Sequence, residues 1–472
     1  MRKLFIFLLL PFFLGIFACQ KDPSNAAGMP SGRSAAPDSK TAAKEDPISA
    51  SAAKEDPAEE IPAAVEEYPL PEPGERDYPW WRGPDRNDIV RPGISPPQKW
   101  GEDQNIVWKT PLPGLGYGTP TLIGDRIYLP AAEKVDEDSD LYSVSILVLS
   151  RSEGKILIKK ELMRGKGAKP IHRDNSNASA TIASDGERLF YPLLLDGRVY
   201  FFCCDMEGKI LWKKDLGPFK SVHGYSTSPL LYKHLAILCI DPEAPGQLAA
   251  FDRKTGRLVW KVVRTVEEAN FSSPALIHSS GKDQVVLTGP FETRSYDPNT
   301  GKLIWFVDGP SRVCPASPAW DDQTVYLSSG FPHRIIMAVK TNGQGKLDES
   351  SILWKKRKDP VSPYVPSMIL KDGLLFAATD EGSFSCIDAK TGDLVWTDKL
   401  GERVYSSPVL VGDLIYLFGR KGTGWIYRAD RKKDRIAENK LGSGVWATPV
   451  ITSDGIYLRS VDTLYKIAPK SK

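Results

Sequence analysis

From residue 104 to its end the sequence alternates short apolar runs with turns, and two marks recur. The first is a turn followed by a run ending in tryptophan. It reads Thr255-Gly256-Arg257-Leu258-Val259-Trp260, Thr300-Gly301-Lys302-Leu303-Ile304-Trp305 and Thr391-Gly392-Asp393-Leu394-Val395-Trp396, with looser copies ending at Trp212, Trp354 and Trp108. Degenerate copies sit at Gly154-Lys155-Ile156-Leu157 and near Arg435-Ile436. The second mark is a cluster of small residues, usually ending in proline, that opens an apolar run: Gly118-Thr119-Pro120, Thr227-Ser228-Pro229, Ser272-Ser273-Pro274, Ala316-Ser317-Pro318, Ser406-Ser407-Pro408 and Ala447-Thr448-Pro449. Pro366-Ser367 is a variant, and Ser179-Ala180-Thr181 takes the place without proline. These segments are too rich in Gly, Pro and β-branched residues, and too short in period, for paired helices, so they predict strands.

The starts fall near 120, 180, 229, 274, 318, 366, 408 and 449, at intervals of about 40 to 60 residues that each hold four short strands. That is the size of one propeller blade. Eight starts predict an all-β, eight-bladed β-propeller of four-stranded antiparallel blades. The last start lacks its own Trp strand, and the first Trp strand, Asn105-Ile106-Val107-Trp108, lacks a start. Pairing the two completes one blade from N-terminal and C-terminal strands and leaves no open sheet edge.

The run Ala250-Phe251-Asp252-Arg253-Lys254-Thr255-Gly256-Arg257-Leu258-Val259-Trp260, matched by Ser295 to Trp305 and Cys386 to Trp396, resembles the tryptophan-docking repeat of quinoprotein (PQQ-like) propellers. The resemblance covers residues 104–472. It implies that Trp108, Trp212, Trp260, Trp305, Trp354 and Trp396 wedge between blades, with Asp and Thr capping the turn and Gly supplying a backbone other residues resist. Trp80-Trp81-Arg82-Gly83-Pro84 resembles the lead-in of such propellers, so residues 77–103 are expected to form an N-terminal flap on the ring.

Charge adds little to this picture: 62 basic and 59 acidic residues leave a formal +3, which gives no electrostatic reason to expect nucleic acid. The N-terminus adds an address. Arg2 and Lys3 precede the apolar run Leu4 to Phe17, and Ala18-Cys19 closes it like a bacterial lipobox. Residues 1–19 are therefore expected to be a lipoprotein signal peptide with Cys19 acylated. Residues 20–76, rich in Ala, Pro, Lys and Glu and poor in apolar groups, are expected to be a disordered tether. The chain is placed in the cell envelope, lipid-anchored, on an outer membrane facing the periplasm.

Function has to come from a site, since this fold hosts several. A lipid-anchored propeller of this repeat type is similar to the lipoprotein B subunits of the outer-membrane β-barrel assembly machinery. That resemblance implies a non-catalytic scaffold for an envelope protein partner. Two alternatives stand beside it. A PQQ-dependent oxidoreductase needs PQQ and a calcium held by carboxylate and amide oxygens near the axis. The positions before the strand starts are instead aromatic: Tyr117, Tyr225, Phe271, Tyr364, Tyr405 and Trp446. Cys203-Cys204 resembles the vicinal pair of some quinoproteins, yet both align with third-strand positions whose side chains alternate faces. None of the six cysteines forms a CxxC pair, so no zinc or haem site is expected. The other alternative is a carbohydrate or small-molecule site, with the same aromatic set ringing one channel mouth. His172, Arg173, Asp174, Asn175 and Asn177, with His223, make a polar cluster expected at that mouth. A His beside an Asp can serve as an acid-base pair, but such loops more often satisfy their own backbone.

Overall fold

The computed structural model describes residues 66–243, 245–265, 268–357 and 361–469. Cys19, the signal segment and the tether up to residue 65 lie outside them. The chain forms the expected eight-bladed propeller. Blades 1 to 7 span residues 121–166, 183–218, 230–264, 275–308, 319–357, 369–399 and 409–440. Blade 8 takes three strands from residues 450–467 and its outer strand, Ile106–Pro111, from the start of the ring. Ile106–Pro111 pairs antiparallel with Thr463–Ile467, so the ring closes through hydrogen bonds alone.

Two sheets carry a short fifth strand, both added in parallel. Ile89–Val90 lies beside the inner strand of blade 7, and Gly345–Lys346, from an insertion in blade 5, covers the outer edge of blade 4. Each strand alternates its side chains between two faces, so every blade contributes to two cores. The buried apolar residues gather accordingly into one cluster per seam; Phe190, Phe201 and Trp212 of blade 2, for example, pack on Leu231, Leu238 and Phe251 of blade 3.

The docking tryptophans cross these seams. The indole N–H groups of Trp108, Trp212, Trp260, Trp354 and Trp396 donate to Arg151 O, Arg253 O, Pro298 O, Ala389 O and Asp430 O, each in the turn before the outer strand of the next blade. The glycine of that turn is doubly required. Gly256, at φ +67, sits where a Cβ would lie 2.7 Å from the Trp212 ring, and Gly301 and Gly392 stand likewise against Trp260 and Trp354.

Trp305 departs from the pattern. Blade 5 lacks the Thr-Gly turn, and the indole N–H of Trp305 donates instead to Gln284 Oε1 in its own blade, at 2.7 Å. The hydroxyl of Ser295 donates to the same oxygen, also at 2.7 Å. Gln284→Leu leaves both buried donors unpaired, and the expected cost is about 2 to 4 kcal/mol in urea unfolding; a loss below about 0.5 kcal/mol would show that neither bond matters.

Cys203 and Cys204 occupy the third strand of blade 2 and face opposite cores, one with Trp212 and the other with Tyr128. Burial pushes the Cys204 thiol up to about 12 and the Cys203 thiol higher still, and all five described cysteines are free and buried. Residues 66–76, assigned above to the tether, include Tyr68, whose hydroxyl donates to Asp252 at 3.1 Å while its ring lies under Arg253.

Candidate binding site

Inner strands run from one end of the channel to the other, and the flap closes the far end. Tyr78 pairs with Leu122 of blade 1, and Pro79 O accepts from Ser184 N–H of blade 2. Arg86 donates to Leu231 O of blade 3, while Arg82 donates to Pro318 O and Met368 O at the starts of blades 5 and 6. Ile89–Val90 then pairs with blade 7. Asp88 holds Arg82 in place at 2.6 Å with both side chains buried. The flap thus spans the axis, and Trp81 stands on it as the floor of a funnel of about 340 Å³ that opens at the near end.

Above Trp81 a belt of hydroxyls lines the wall. At six of the eight starts the Thr or Ser of the second mark, followed by proline except at Thr181 and Ser367, turns its oxygen toward the preceding blade and accepts that blade's corresponding backbone N–H. Thr119 N–H reaches Thr181, Thr181 reaches Ser228, Ser228 reaches Ser273, Ser317 reaches Ser367, Ser367 reaches Ser407 and Ser407 reaches Thr448, all at 2.9 to 3.1 Å. Between blades 4 and 5 the link is replaced: Ser317 accepts the Trp81 indole N–H at 3.0 Å, which fixes the floor to the wall. Between blades 8 and 1 the Thr119 hydroxyl has no partner among the described residues. The recurring small hydroxyl residue is therefore a structural requirement of the belt.

Two residues before each hydroxyl the extended chain faces the funnel again. These positions are Tyr117, Ser179, Ser226, Phe271, Pro315, Val365, Tyr405 and Trp446, and all line it. Tyr225 is one residue out of this register. It turns into the core between blades 2 and 3, packs edge-on against Phe219 and donates its hydroxyl to Cys239 O, so Ser226 takes its expected place. Tyr364 is also out of register, yet it reaches the funnel by lying on Gly330, where a Cβ would collide with it. His172, Asp174 and Asn175 line the funnel; Arg173 points to solvent.

The aromatic rings on one side are stacked on each other and on guanidinium groups. Tyr117 and Trp446 lie 5.5 Å apart at 10°. Arg420 lies over the ring of Trp446 at 4.4 Å and over that of Tyr405 at 4.6 Å. Arg403 adds a further layer on Tyr405. Asp174, on the loop between blades 1 and 2, reaches over to accept from Arg420 at 2.5 Å and from the Tyr405 hydroxyl at 2.9 Å. Burial pulls the Asp174 carboxyl up, but the bonds from Arg420 and Tyr405 and the nearby guanidinium charges outweigh it and hold the group below the usual carboxylate range. Burial, with the bond to Asp174, pushes Tyr405 up to about 12.

His172 holds its Nδ1 4.0 Å from Asp174 Oδ2, too far for a hydrogen bond to the carboxylate. Its Nδ1 accepts the Asp174 backbone N–H at 3.2 Å, and its ring packs on His223, which packs edge-on to Phe271. Burial, then the neighbouring His172, holds His223 below the usual imidazole value. Arg420 and Trp81 were missed at the sequence level, the first because it lies in the hairpin turn of another blade. Trp81 carried only a lead-in resemblance.

The donor set does not suit a quinone with calcium. Asp174 is committed to Arg420 and Tyr405, and Asp380 to Arg334 at 2.9 and 3.3 Å. Asn175 spends its amide on His223 O and its oxygen on Ser176 and Ser179. No oxygen cluster is left for a hard cation, which takes six to eight oxygens. Among the described residues no three His, Cys, Asp or Glu side chains group as metal ligands.

A family model described as outer membrane protein assembly factor BamB matches residues 145–330 and 345–437, more than half of the chain. No curated protein matches. Among solved structures the chain is similar to BamB from Moraxella catarrhalis, at 13% identity and a TM-score of 0.53, over 76% of this chain and 99% of that one. It is similar too to a europium-containing methanol dehydrogenase, at 12% and 0.57 over 83% and 91% of the two chains. A quinohemoprotein alcohol dehydrogenase from Comamonas testosteroni matches at 10% and 0.57 over 84% and 81%. At these identities the structural likeness shows the fold, which BamB and the dehydrogenases share.

Proposed function

The chain belongs to the outer membrane protein assembly factor BamB family, and from that membership we propose that it is a non-catalytic docking scaffold for outer-membrane protein assembly, held in the cell envelope by an acylated Cys19. The observation that carries the reading is the state of the funnel's reactive groups. Both lining carboxylates are tied to arginines, and His172 turns its Nδ1 to backbone. With both carboxylates so committed, the funnel presents shape and charge to a partner rather than free carboxylates to a metal or a substrate.

The same geometry speaks against a glycan. Sugars stack on free aromatic faces, whereas Trp446 already stacks on Tyr117 and Arg420, and Tyr405 lies against Arg420 and Arg403. Affinity isolation of the full chain from cross-linked envelopes is expected to retrieve barrel-assembly proteins. Cys19→Ala is expected to release the chain from the membrane fraction and reduce that yield. Calcium-dependent binding of PQQ in calorimetry would replace the scaffold by an oxidoreductase.

A further inference from the structure

We infer that the outer wall of blades 1 and 2 is a seat for an anionic lipid surface, so that the ring lies on its side with the channel axis along the membrane; the inference rests on the anchored reading and says which face meets the membrane. Three observations lead to it. The first is where the anchoring segment joins the body. Glu66 is the first described residue, and the chain is gripped at once by the outer turn of blade 3. The Tyr68 hydroxyl donates to Asp252 and accepts the Lys254 backbone N–H, both at 3.1 Å, and Arg253 donates to Pro69 O. That turn adjoins the outer strand of blade 2. Arg253 O accepts the Trp212 indole N–H, and a Cβ on Gly256 would lie 3.0 Å from Lys214 Cε. The segment leading to Cys19 thus meets the ring beside blade 2.

The second observation is charge. The outer strands of blades 1 and 2 with their turns, residues 153–166 and 205–218, carry eight basic and five acidic residues. Glu133, Glu161 and Asp215 are taken by Lys159, Arg164 and Arg198. Lys155, Lys160, Lys209, Lys213 and Lys214 have no ion pair among the described residues. The matching stretches of blades 6 and 7, residues 388–399 and 430–440, carry seven basic and six acidic residues. There Asp388, Asp393 and Asp398 answer Arg431, Lys356 and Arg435. Each lysine held within a Debye length of anionic headgroups adds to the attraction.

Third, apolar groups stand among these lysines. Leu157, Ile210 and Leu211 are 50%, 39% and 49% exposed. The same positions on blades 3 and 4, Leu258, Val259, Leu303 and Ile304, are half-buried. Lys213 joins the two blades into one surface, its Nζ lying 4.2 Å from the Tyr200 ring centre and 3.7 Å from Met163 Sδ. A lysine with its stem along apolar groups and its ammonium outward suits a lipid interface. Lysine on an outer strand also keeps other strands from pairing, but that role asks for no apolar neighbours. An acidic protein would meet the lysines and leave the leucines unmatched. The wall alone holds the chain weakly and reversibly. Its part is to set how the anchored ring lies, and the mouth then opens sideways, to partners moving along the membrane.

The test is co-flotation of the full chain, free of acyl groups, with vesicles of phosphatidylcholine alone and of phosphatidylcholine with about one-third phosphatidylglycerol. Any pull from the signal segment is common to every chain compared. Partition to the anionic vesicles is expected to be about tenfold or more the stronger, and to fall as salt rises. The double variant Lys160→Glu/Lys213→Glu is expected to lower it about tenfold, and Leu211→Ser about threefold. Lys355→Glu/Arg357→Glu, on the outer strand of blade 5, is expected to leave it unchanged. Equal binding to both vesicles, or an equal loss from the blade 5 pair, would overturn the inference. So would a Lys160→Glu/Lys213→Glu chain that keeps its vesicle binding but no longer retrieves assembly proteins, which would give the wall to a protein. If the vesicles fail while the acylated chain still retrieves those proteins, the seat falls and the docking reading stands. Anion-selective flotation without retrieval of any assembly protein would overturn the docking reading and leave the seat.

Discussion

Trp354→Ala is expected to destabilise the propeller by about 3 to 5 kcal/mol, the usual range for truncating a buried aromatic side chain. Trp354 packs between blades 5 and 6, against Tyr326, and its indole N–H donates to Ala389 O at 2.8 Å. Truncation removes the packing and leaves that carbonyl without its partner. The ring also explains Gly392, where φ is +71 and a Cβ would lie 2.6 Å from Trp354 Cε3. Gly392→Ala therefore carries a backbone cost of about 1 to 2 kcal/mol plus a collision. In the Trp354→Ala background the collision disappears. The double variant is thus expected to be more stable than the sum of the two single losses predicts, by more than about 0.5 kcal/mol in urea unfolding. Additivity within that margin would mean that the glycine answers to its turn alone and that the tryptophan does not rest on it.

The repeat made the blade count and the closing strand legible, because each Thr-Gly…Trp unit and each small-residue start marks one strand of one blade. What the marks are for was only partly legible. The conformational role of Gly256 or Gly392 follows from the residue type, but the tryptophan of the preceding blade, about 40 residues away in sequence, does not. The hydroxyl belt has the same character. Ser228 and Ser407 stand in plain view before their prolines, yet their partners are N–H groups one blade back. Register decided the rim. Counting back two residues from each hydroxyl would have found Ser226 and rejected Tyr225. Trp305 kept its sequence mark and lost its cross-seam partner, because the insertion in blade 5 replaced the turn it would have met. Arg420 carries no local signal at all; it matters through a neighbour from another blade.

Asp454→Asn is expected to cost about 3 to 5 kcal/mol at pH 7, since it removes one partner of a largely buried ion pair. Asp454 ties the C-terminal strands of blade 8, which only the hydrogen bonds to Ile106–Pro111 join to the start of the ring, to blade 1. Arg151 of blade 1, 2% exposed, donates from Nη2 and Nε to the Asp454 carboxylate at 2.6 and 3.1 Å. Thr452, Tyr457 and Lys466 of blade 8 donate to it as well. Burial alone would raise the Asp454 carboxyl, but the bonds from Arg151, Tyr457 and Thr452 hold it well below the usual carboxylate range. A carboxyl depressed in the folded state stabilises the fold fully above its unfolded value, about pH 4, and loses that contribution as the pH falls toward the folded value. The wild-type chain is therefore expected to lose the stability due to this group progressively below about pH 4, while Asp454→Asn has none to lose there. Thermal unfolding at pH 7 and at pH 3 checks the sign: the gap in melting temperature between wild type and variant should narrow in acid, whatever the other carboxylates contribute to both. A gap that stays constant would show that the seam is held by packing of Leu122, Val450 and Tyr457 and that the charge of Asp454 adds nothing to closure.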